Sequence, residues 1–70
     1  MSNAVTIQVN GESREAPVGS TVTELLVQLG LNNGRVAVEY NLQILPKTKW
    51  ENTHVAQGDR FEIVQFVGGG

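Results

Sequence analysis

One short amphipathic helix is the sequence feature that most restricts the fold. Thr21 and Glu24 form the Thr-x-x-Glu pattern of a capping box, in which two backbone amides at the start of a helix find acceptors. Apolar residues then recur at spacings of three and four as far as Leu29, and Gly30 suits the left-handed position that ends a helix. A helix of about two turns is not stable alone in water. The sequence therefore predicts a helix at residues 22–29 that packs against a sheet.

Segments with strand character flank this helix on both sides. Before the helix, an alternating segment and a polar segment are joined by Asn10-Gly11, a pair that favours the tight turn of a β-hairpin. Residues 47–58 show no sustained period and are predicted as a loop pinned by Trp50, with one helical turn near residues 53–55. The five predicted strands are residues 4–9, 12–15, 35–40, 43–45 and 60–67.

The order of these elements is that of the ubiquitin-like β-grasp, an α+β architecture. A crossover through a helix implies a parallel pair of strands, so we expect a mixed sheet of about four to five strands with one main helix packed on one face. The β-grasp domain is expected to span residues 1–67, followed by a flexible tail at residues 68–70. The predicted core comprises Val5, Ile7, Leu25, Leu26, Leu29, Val38, Phe61 and Ile63.

Composition excludes several classes of function. The 70 residues include no cysteine and one histidine, so disulfides, thiolate catalysis and a cysteine-histidine metal site are excluded. Five basic and seven acidic residues give a net charge of -2, and neither nucleic acid nor an anionic membrane surface is expected as a partner. No apolar run approaches the roughly 18 residues of a membrane span, and residues 1–4 show no secretory signal, so a cytoplasmic protein is expected.

The sequence contains no recognisable catalytic set. His54 lies in the irregular segment without a nucleophile or carboxylate partner nearby in sequence, so we interpret it as a loop residue and not as a general base. The acidic residues lack metal-ligand spacing, and no glycine-rich phosphate loop leads from a strand into a helix. The chain is therefore predicted not to be an enzyme, and to bind no cofactor of its own.

The chain ends in Gly68, Gly69 and Gly70, directly after an apolar strand. Three extended residues span about 10 Å, and glycine has no Cβ that would block entry to a narrow channel. A frayed terminus is the simpler interpretation. We favour instead a tail that delivers its terminal carboxylate into the active site of another protein.

Val64 and Phe66 on the last strand are candidates for docking that partner. They alternate with Phe61 and Ile63, which are predicted to face the helix, so they point to the opposite face of the sheet. An exposed apolar patch beside the tail is typical of a docking surface. The alternative is that the loop at residues 46–50 folds over them.

Five motifs in a fixed order cover nearly the whole chain. They are Val9-Asn10-Gly11, Thr21-Val22-x-Glu24-Leu25-Leu26, Val36-Ala37-Val38-Glu39-Tyr40-Asn41, Pro46-Lys47-x-x-Trp50 and Gly58-Asp59-x-x-Glu62-Ile63-Val64-x-Phe66-Val67-Gly68-Gly69-Gly70. Together they resemble the sulfur carrier proteins of thiamine biosynthesis, the ThiS family. Lys47 departs from the pattern, because the family often has arginine there, which matters where that side chain makes a bidentate contact.

The resemblance implies a protein substrate that partner enzymes act upon. A ubiquitin-activating-like enzyme would use ATP and magnesium to adenylate the carboxylate of Gly70, and a sulfur donor system would convert the adenylate to a thiocarboxylate. Thiazole synthase would then take the sulfur. Two alternatives stay open: a carrier of the molybdopterin synthase small-subunit type, whose approach to the tail tends to contain proline, and a ubiquitin-like binding module without covalent chemistry.

Overall fold

Five strands, one α-helix and one 3-10 helix make up the described part of the chain, which is residues 3–32 and 34–66 of a computed structural model. The elements are β1 (Ala4–Val9), β2 (Glu12–Pro17), α1 (Val22–Gln28), β3 (Val36–Tyr40), β4 (Gln43–Leu45), the 3-10 helix (Lys47–Asn52) and β5 (Arg60–Gln65). The predicted strands and helix are confirmed, with ends that differ by at most two residues. The helical turn predicted near residues 53–55 is wrong, because the turn forms earlier, in the 3-10 helix.

The sheet is mixed, with the strand order β2-β1-β5-β3-β4. β1 pairs in parallel with β5, whereas β1 with β2, β3 with β4 and β3 with β5 are antiparallel. β5 therefore lies at the centre of the sheet, between a hairpin made of β1 and β2 and a hairpin made of β3 and β4. The predicted mixed sheet with one main helix is confirmed.

Both ends of α1 have the hydrogen bonds that the sequence predicts. At the start, Thr21 Oγ1 accepts from the Glu24 N–H at 3.1 Å and Glu24 Oε1 accepts from the Thr21 N–H at 2.8 Å. At the end, Gly30 adopts a φ of 74°, and the N–H of Leu31 donates to the Leu26 carbonyl at 2.9 Å. This is a Schellman motif, and it turns Leu31 back onto the last turn of the helix.

The core lies between α1 and one face of the sheet. Two of the predicted core residues, Val5 and Leu29, are only partly buried. Val5 lies in the part of β1 that β5 does not flank, since the two strands pair only through Gln8 and Val9, and Leu29 is the C-cap of α1. The buried apolar residues are Ile7, Val9, Ala16, Val22, Leu25, Leu26, Val38, Val55, Phe61 and Ile63.

The 3-10 helix packs on the same side of the sheet as α1. Its Trp50 is partly buried against the core, and the indole N–H donates to the Leu45 carbonyl at 3.1 Å. Thr53 Oγ1 donates to the Lys49 carbonyl at 2.8 Å and closes the end of the turn. These contacts leave the opposite face of the sheet without a covering element in the described part of the chain.

Candidate functional site

The central strand β5 presents different side chains on its two faces. Phe61 and Ile63 are buried beneath α1, as their alternation predicts. Glu62 and Val64 point to the face of the sheet opposite α1, which we call the helix-free face. Phe66 continues the alternation just beyond the strand. Val64 is 57% exposed and Phe66 is 59% exposed. The chain therefore places two large apolar side chains in solvent immediately before its last four residues.

The loop that could have covered these side chains lies elsewhere. Trp50 and the rest of the 3-10 helix pack beside α1, on the other side of the sheet. The structure thus decides between the two sequence-based interpretations in favour of an exposed position for Val64 and Phe66. Burial beneath the loop is excluded.

A third exposed apolar side chain lies on the same face. Ile44 of β4 is opposite Glu39 of β3, and Glu39 is opposite Glu62 of β5, so all three share the helix-free face. On the same face, Val64 of β5 is opposite Ala37 of β3, which has a small side chain. We use the name apolar patch for the exposed apolar side chains of this face, which are Ile44, Val64 and Phe66.

Two acidic side chains lie on the same face as the apolar patch. Glu39 and Glu62 are direct cross-strand partners, an arrangement that is unfavourable for two carboxylates. Within residues 3–32 and 34–66, the structure gives neither of them an ion pair. The helix-free face therefore combines an apolar patch with two carboxylates that form no ion pair within the described residues.

The start of β5, at the opposite end from the tail, carries a polar network. Asp59 is buried, and its carboxylate accepts from the Ala56 N–H at 2.8 Å and from Asn41 Nδ2 at 3.3 Å. Burial raises the pKa of the nearby Tyr40 hydroxyl, and the negative charge and the hydrogen bond of Asp59 add to this rise. Because the Asp59 carboxylate links Asn41, in the turn between β3 and β4, to Ala56, in the segment before β5, we assign the network to the fold.

No catalytic group or metal site emerges in the folded chain over residues 3–32 and 34–66. His54 is exposed and forms an isolated β-bridge with Thr21. Among the described residues, no three histidine, cysteine or acidic side chains lie close enough together to hold a metal ion. No helix in the same part of the chain is long and apolar enough to cross a membrane.

The turn between β1 and β2 contacts the last part of β5. The side chain of Asn10 accepts a hydrogen bond from the Ile63 N–H at 2.7 Å and donates one to the Ile63 carbonyl at 3.1 Å. The sequence identifies Asn10 only as a turn residue, because its partner Ile63 lies 53 positions away along the chain. A turn pattern is a local signal and carries no information about such a contact.

The predicted tail residues Gly68, Gly69 and Gly70 lie outside the described residues, as does the boundary between domain and tail at Val67. The geometry of the site is therefore that of the helix-free face and of β5 as far as Phe66.

Comparison with known proteins gives consistent results. The model of the ThiS family matches residues 7–70. The sulfur carrier protein ThiS of Escherichia coli is 34% identical over 64 residues, which cover 91% of this chain and 97% of the relative. The corresponding protein of Bacillus subtilis is 35% identical over 65 residues, with coverages of 91% and 98%.

A longer relative and a solved structure complete the comparison. A thiazole synthase of Paramagnetospirillum magneticum is 47% identical over 62 residues, which cover 89% of this chain but 19% of the relative, so this chain spans about a fifth of its length. The crystal structure of the thiamine biosynthesis protein ThiS from Geobacter metallireducens superposes with a TM-score of 0.80 at 33% identity, covering 94% of this chain and all of that one. The predicted β-grasp fold is thereby confirmed.

Proposed function

The chain belongs to the ThiS family, the sulfur carrier proteins of thiamine biosynthesis, and we propose that Gly70 is the residue on which the sulfur is carried. The observation that carries this proposal is the exposure of Val64 and Phe66 on the strand that leads into the three glycines. Such a strand offers a partner a binding surface and, next to it, a carboxylate on residues without side chains.

The proposed reaction begins at the Gly70 carboxylate, which is a poor electrophile. One of its oxygens attacks the α-phosphorus of ATP, and pyrophosphate leaves with the electron pair of the broken phosphoanhydride bond. The product is an acyl adenylate, which now has AMP as a leaving group. A reduced sulfur species, supplied as sulfide equivalents by a donor system, displaces AMP and leaves a thiocarboxylate on Gly70.

The partner enzyme must supply most of this chemistry. Magnesium would neutralise the phosphate charges, and a closed site would keep water from hydrolysing the adenylate. The proposal assigns both tasks to a ubiquitin-activating-like enzyme. This chain contributes the folded domain, which the partner recognises. It also contributes Gly68, Gly69 and Gly70, which enter the active site.

Thiazole synthase is the proposed acceptor of the sulfur. Support comes from the long relative of that name, in which a segment of about a fifth of the length is 47% identical to this chain. If the carrier and thiazole synthase act together, we expect some proteins to combine a carrier-like segment with a thiazole synthase.

The apolar patch is the proposed docking surface for the adenylating enzyme. Val64 and Phe66 lie next to the tail, so a partner that covers them holds the carboxylate within reach of its own active site. Burial of two large apolar side chains also supplies binding free energy that does not depend on the reacting atoms.

Intact-mass analysis tests the proposal. The chain is incubated with an adenylating enzyme of this class, ATP, magnesium and a sulfur source, and we expect it to gain the mass difference between sulfur and oxygen at its C-terminal residue. The reaction without ATP is the control and should give no gain. A chain that never gains this mass, beside a family member that does, would contradict the assignment of Gly70.

A further inference from the structure

We propose that Asn10 is a positioning residue for the tail, and that its side-chain amide fixes the direction in which β5 leaves the sheet. This inference rests on the proposed function, because it concerns the delivery of Gly70 to a partner. It is carried by the pair of hydrogen bonds between Asn10 and Ile63, at 2.7 Å and 3.1 Å.

The side-chain amide of Asn10 forms, with β5, the hydrogen bonds that the backbone of β1 would form if that strand were longer. β1 pairs with β5 through Gln8 and Val9, and the N–H of Asn10 then donates to the Phe61 carbonyl at 2.9 Å. The next backbone groups of β5 on this side belong to Ile63. Because β1 has already turned away toward β2, the side chain of Asn10 provides the acceptor and the donor that another strand residue would have provided.

On its other side, β5 remains paired almost to the tail. Val36 of β3 is opposite Gln65, and the Phe66 N–H donates to the Arg35 carbonyl at 2.8 Å. The last part of β5 is therefore held by β3 on one side and, at Ile63, by the Asn10 amide on the other. Removal of the amide leaves the strand free to turn about its contacts with β3.

Side-chain packing gives this part of the strand little support. Ile63 is the last buried residue of β5, and Val64 and Phe66 are both more than half exposed. Backbone hydrogen bonds therefore determine how the apolar patch is oriented relative to the start of the tail. A partner that binds both at once depends on that orientation.

The conformation of Asn10 allows the amide and the turn to be separated experimentally. Asn10 has a φ of 51° and Gly11 a φ of 83°, the left-handed values of a two-residue hairpin turn. Glycine adopts these values freely, so Asn10→Gly removes the amide and keeps the turn. Asn10→Asp keeps the acceptor for the Ile63 N–H and places a second oxygen against the Ile63 carbonyl.

The first test uses the carrier without any partner. In Asn10→Gly, we expect the amide hydrogen of Ile63 to exchange about tenfold faster than in the native chain, since its acceptor is lost. In Asn10→Asp at neutral pH, the carboxylate still accepts from the Ile63 N–H but no longer donates to the Ile63 carbonyl, so we expect protection of Ile63 between that of the native chain and that of Asn10→Gly. Asn52→Asp, at an exposed position in the 3-10 helix, is the matched control.

The second test measures adenylation at neutral pH. We expect Asn10→Gly and Asn10→Asp to raise the KM for the carrier several-fold, with kcat close to the native value, because a correctly docked tail reacts as before. A general loss of folding would instead reduce the active fraction, which circular dichroism reports independently. Asn52→Asp should leave both constants unchanged.

The outcomes separate the two proposals. Faster exchange at Ile63 with an unchanged KM would overturn the positioning role, because the contact would then serve the fold alone. Unchanged exchange in Asn10→Gly would overturn the contact itself. If the native chain is not adenylated by an active enzyme, the proposed function fails, and with it the positioning role, whereas the exchange experiment still decides whether the contact exists.

Discussion

Neighbouring residues of β5 contribute to different properties of the protein. Phe61 and Ile63 point beneath α1 and belong to the core, whereas Val64 and Phe66 point to the helix-free face and belong to the apolar patch. Tyr40 contacts the Phe61 ring, with centroids 5.2 Å apart, and so joins β3 to the core. A substitution at one of these positions should therefore affect either stability or docking.

Phe66→Ala should weaken docking and leave folding almost unchanged. Phe66 is 59% exposed, so its removal should alter the free energy of unfolding by less than about 0.5 kcal/mol. Titration calorimetry with the adenylating enzyme should show weaker binding. Phe61→Ala is the contrasting variant, because Phe61 is fully buried and its loss should cost about 3–5 kcal/mol of stability. Equal destabilisation by the two variants would contradict the exposed position of Phe66.

Tyr40 should make stability fall at alkaline pH. The pKa of its hydroxyl is raised in the folded state by burial and by Asp59, so the unfolded chain loses the proton first as the pH rises. The contribution of Tyr40 is therefore complete below the unfolded pKa of about 10 and is lost as the pH rises through the folded value. Tyr40 is the single tyrosine of the chain, so an ultraviolet absorbance titration measures its pKa directly. In Tyr40→Phe, this part of the pH dependence should disappear, and its persistence would assign the effect to other groups.

At the scale of elements, sequence motifs predict those features of a helix or strand that depend on hydrogen bonds between residues close together in the chain. The capping box at Thr21 and Glu24 and the glycine at position 30 define the ends of α1, and both act within a few residues. The prediction places a helical turn near residues 53–55 and not at the 3-10 helix, because that segment has no apolar period and Pro46 at its N-cap makes no side-chain capping bond. Its position is set by Trp50, which packs against the core and binds the Leu45 carbonyl, and such contacts leave no periodic trace in the sequence.

Thr21→Ala should destabilise the domain by about 1 kcal/mol. The substitution removes the hydroxyl that accepts from the Glu24 N–H and so leaves that amide without its capping acceptor. Urea denaturation followed by circular dichroism measures the change in the free energy of unfolding. Gln28→Ala, at an exposed position in the last turn of α1, is the control and should change stability little. A cost at Thr21 no larger than that at Gln28 would show that the capping box contributes nothing.

At the scale of the whole molecule, the fold was predictable and part of the site was not. Element order indicated the mixed sheet, and alternation along β5 indicated which face Val64 and Phe66 occupy. The contribution of Ile44 to the apolar patch and the contact between Asn10 and Ile63 depend on register between distant strands. Register is a property of the assembled sheet, so it could not be deduced from one segment at a time.

Adding one alanine after Gly70 should abolish adenylation and sulfur transfer without affecting the stability of the folded domain. The extension moves the carboxylate by about 3.5 Å and introduces a methyl group beside it. Intact-mass analysis should then show no sulfur gain, while thermal unfolding matches that of the native chain. An added glycine is the matched control for the methyl group, since it shifts the carboxylate equally. Equal sulfur gain by the native and extended chains would contradict the proposed role of Gly70.

The central position of β5 also determines the order in which the molecule can be assembled. The hairpin of β1 and β2 and the hairpin of β3 and β4 contact each other in the sheet only through β5, and both are translated before it. Without β5 the two hairpins are not joined in one sheet, and an isolated hairpin is marginal in water on its own. The sheet therefore closes only after the ribosome has added the strand next to the glycines. Two hairpins that are translated early are therefore joined into one sheet by a strand that is translated after both of them.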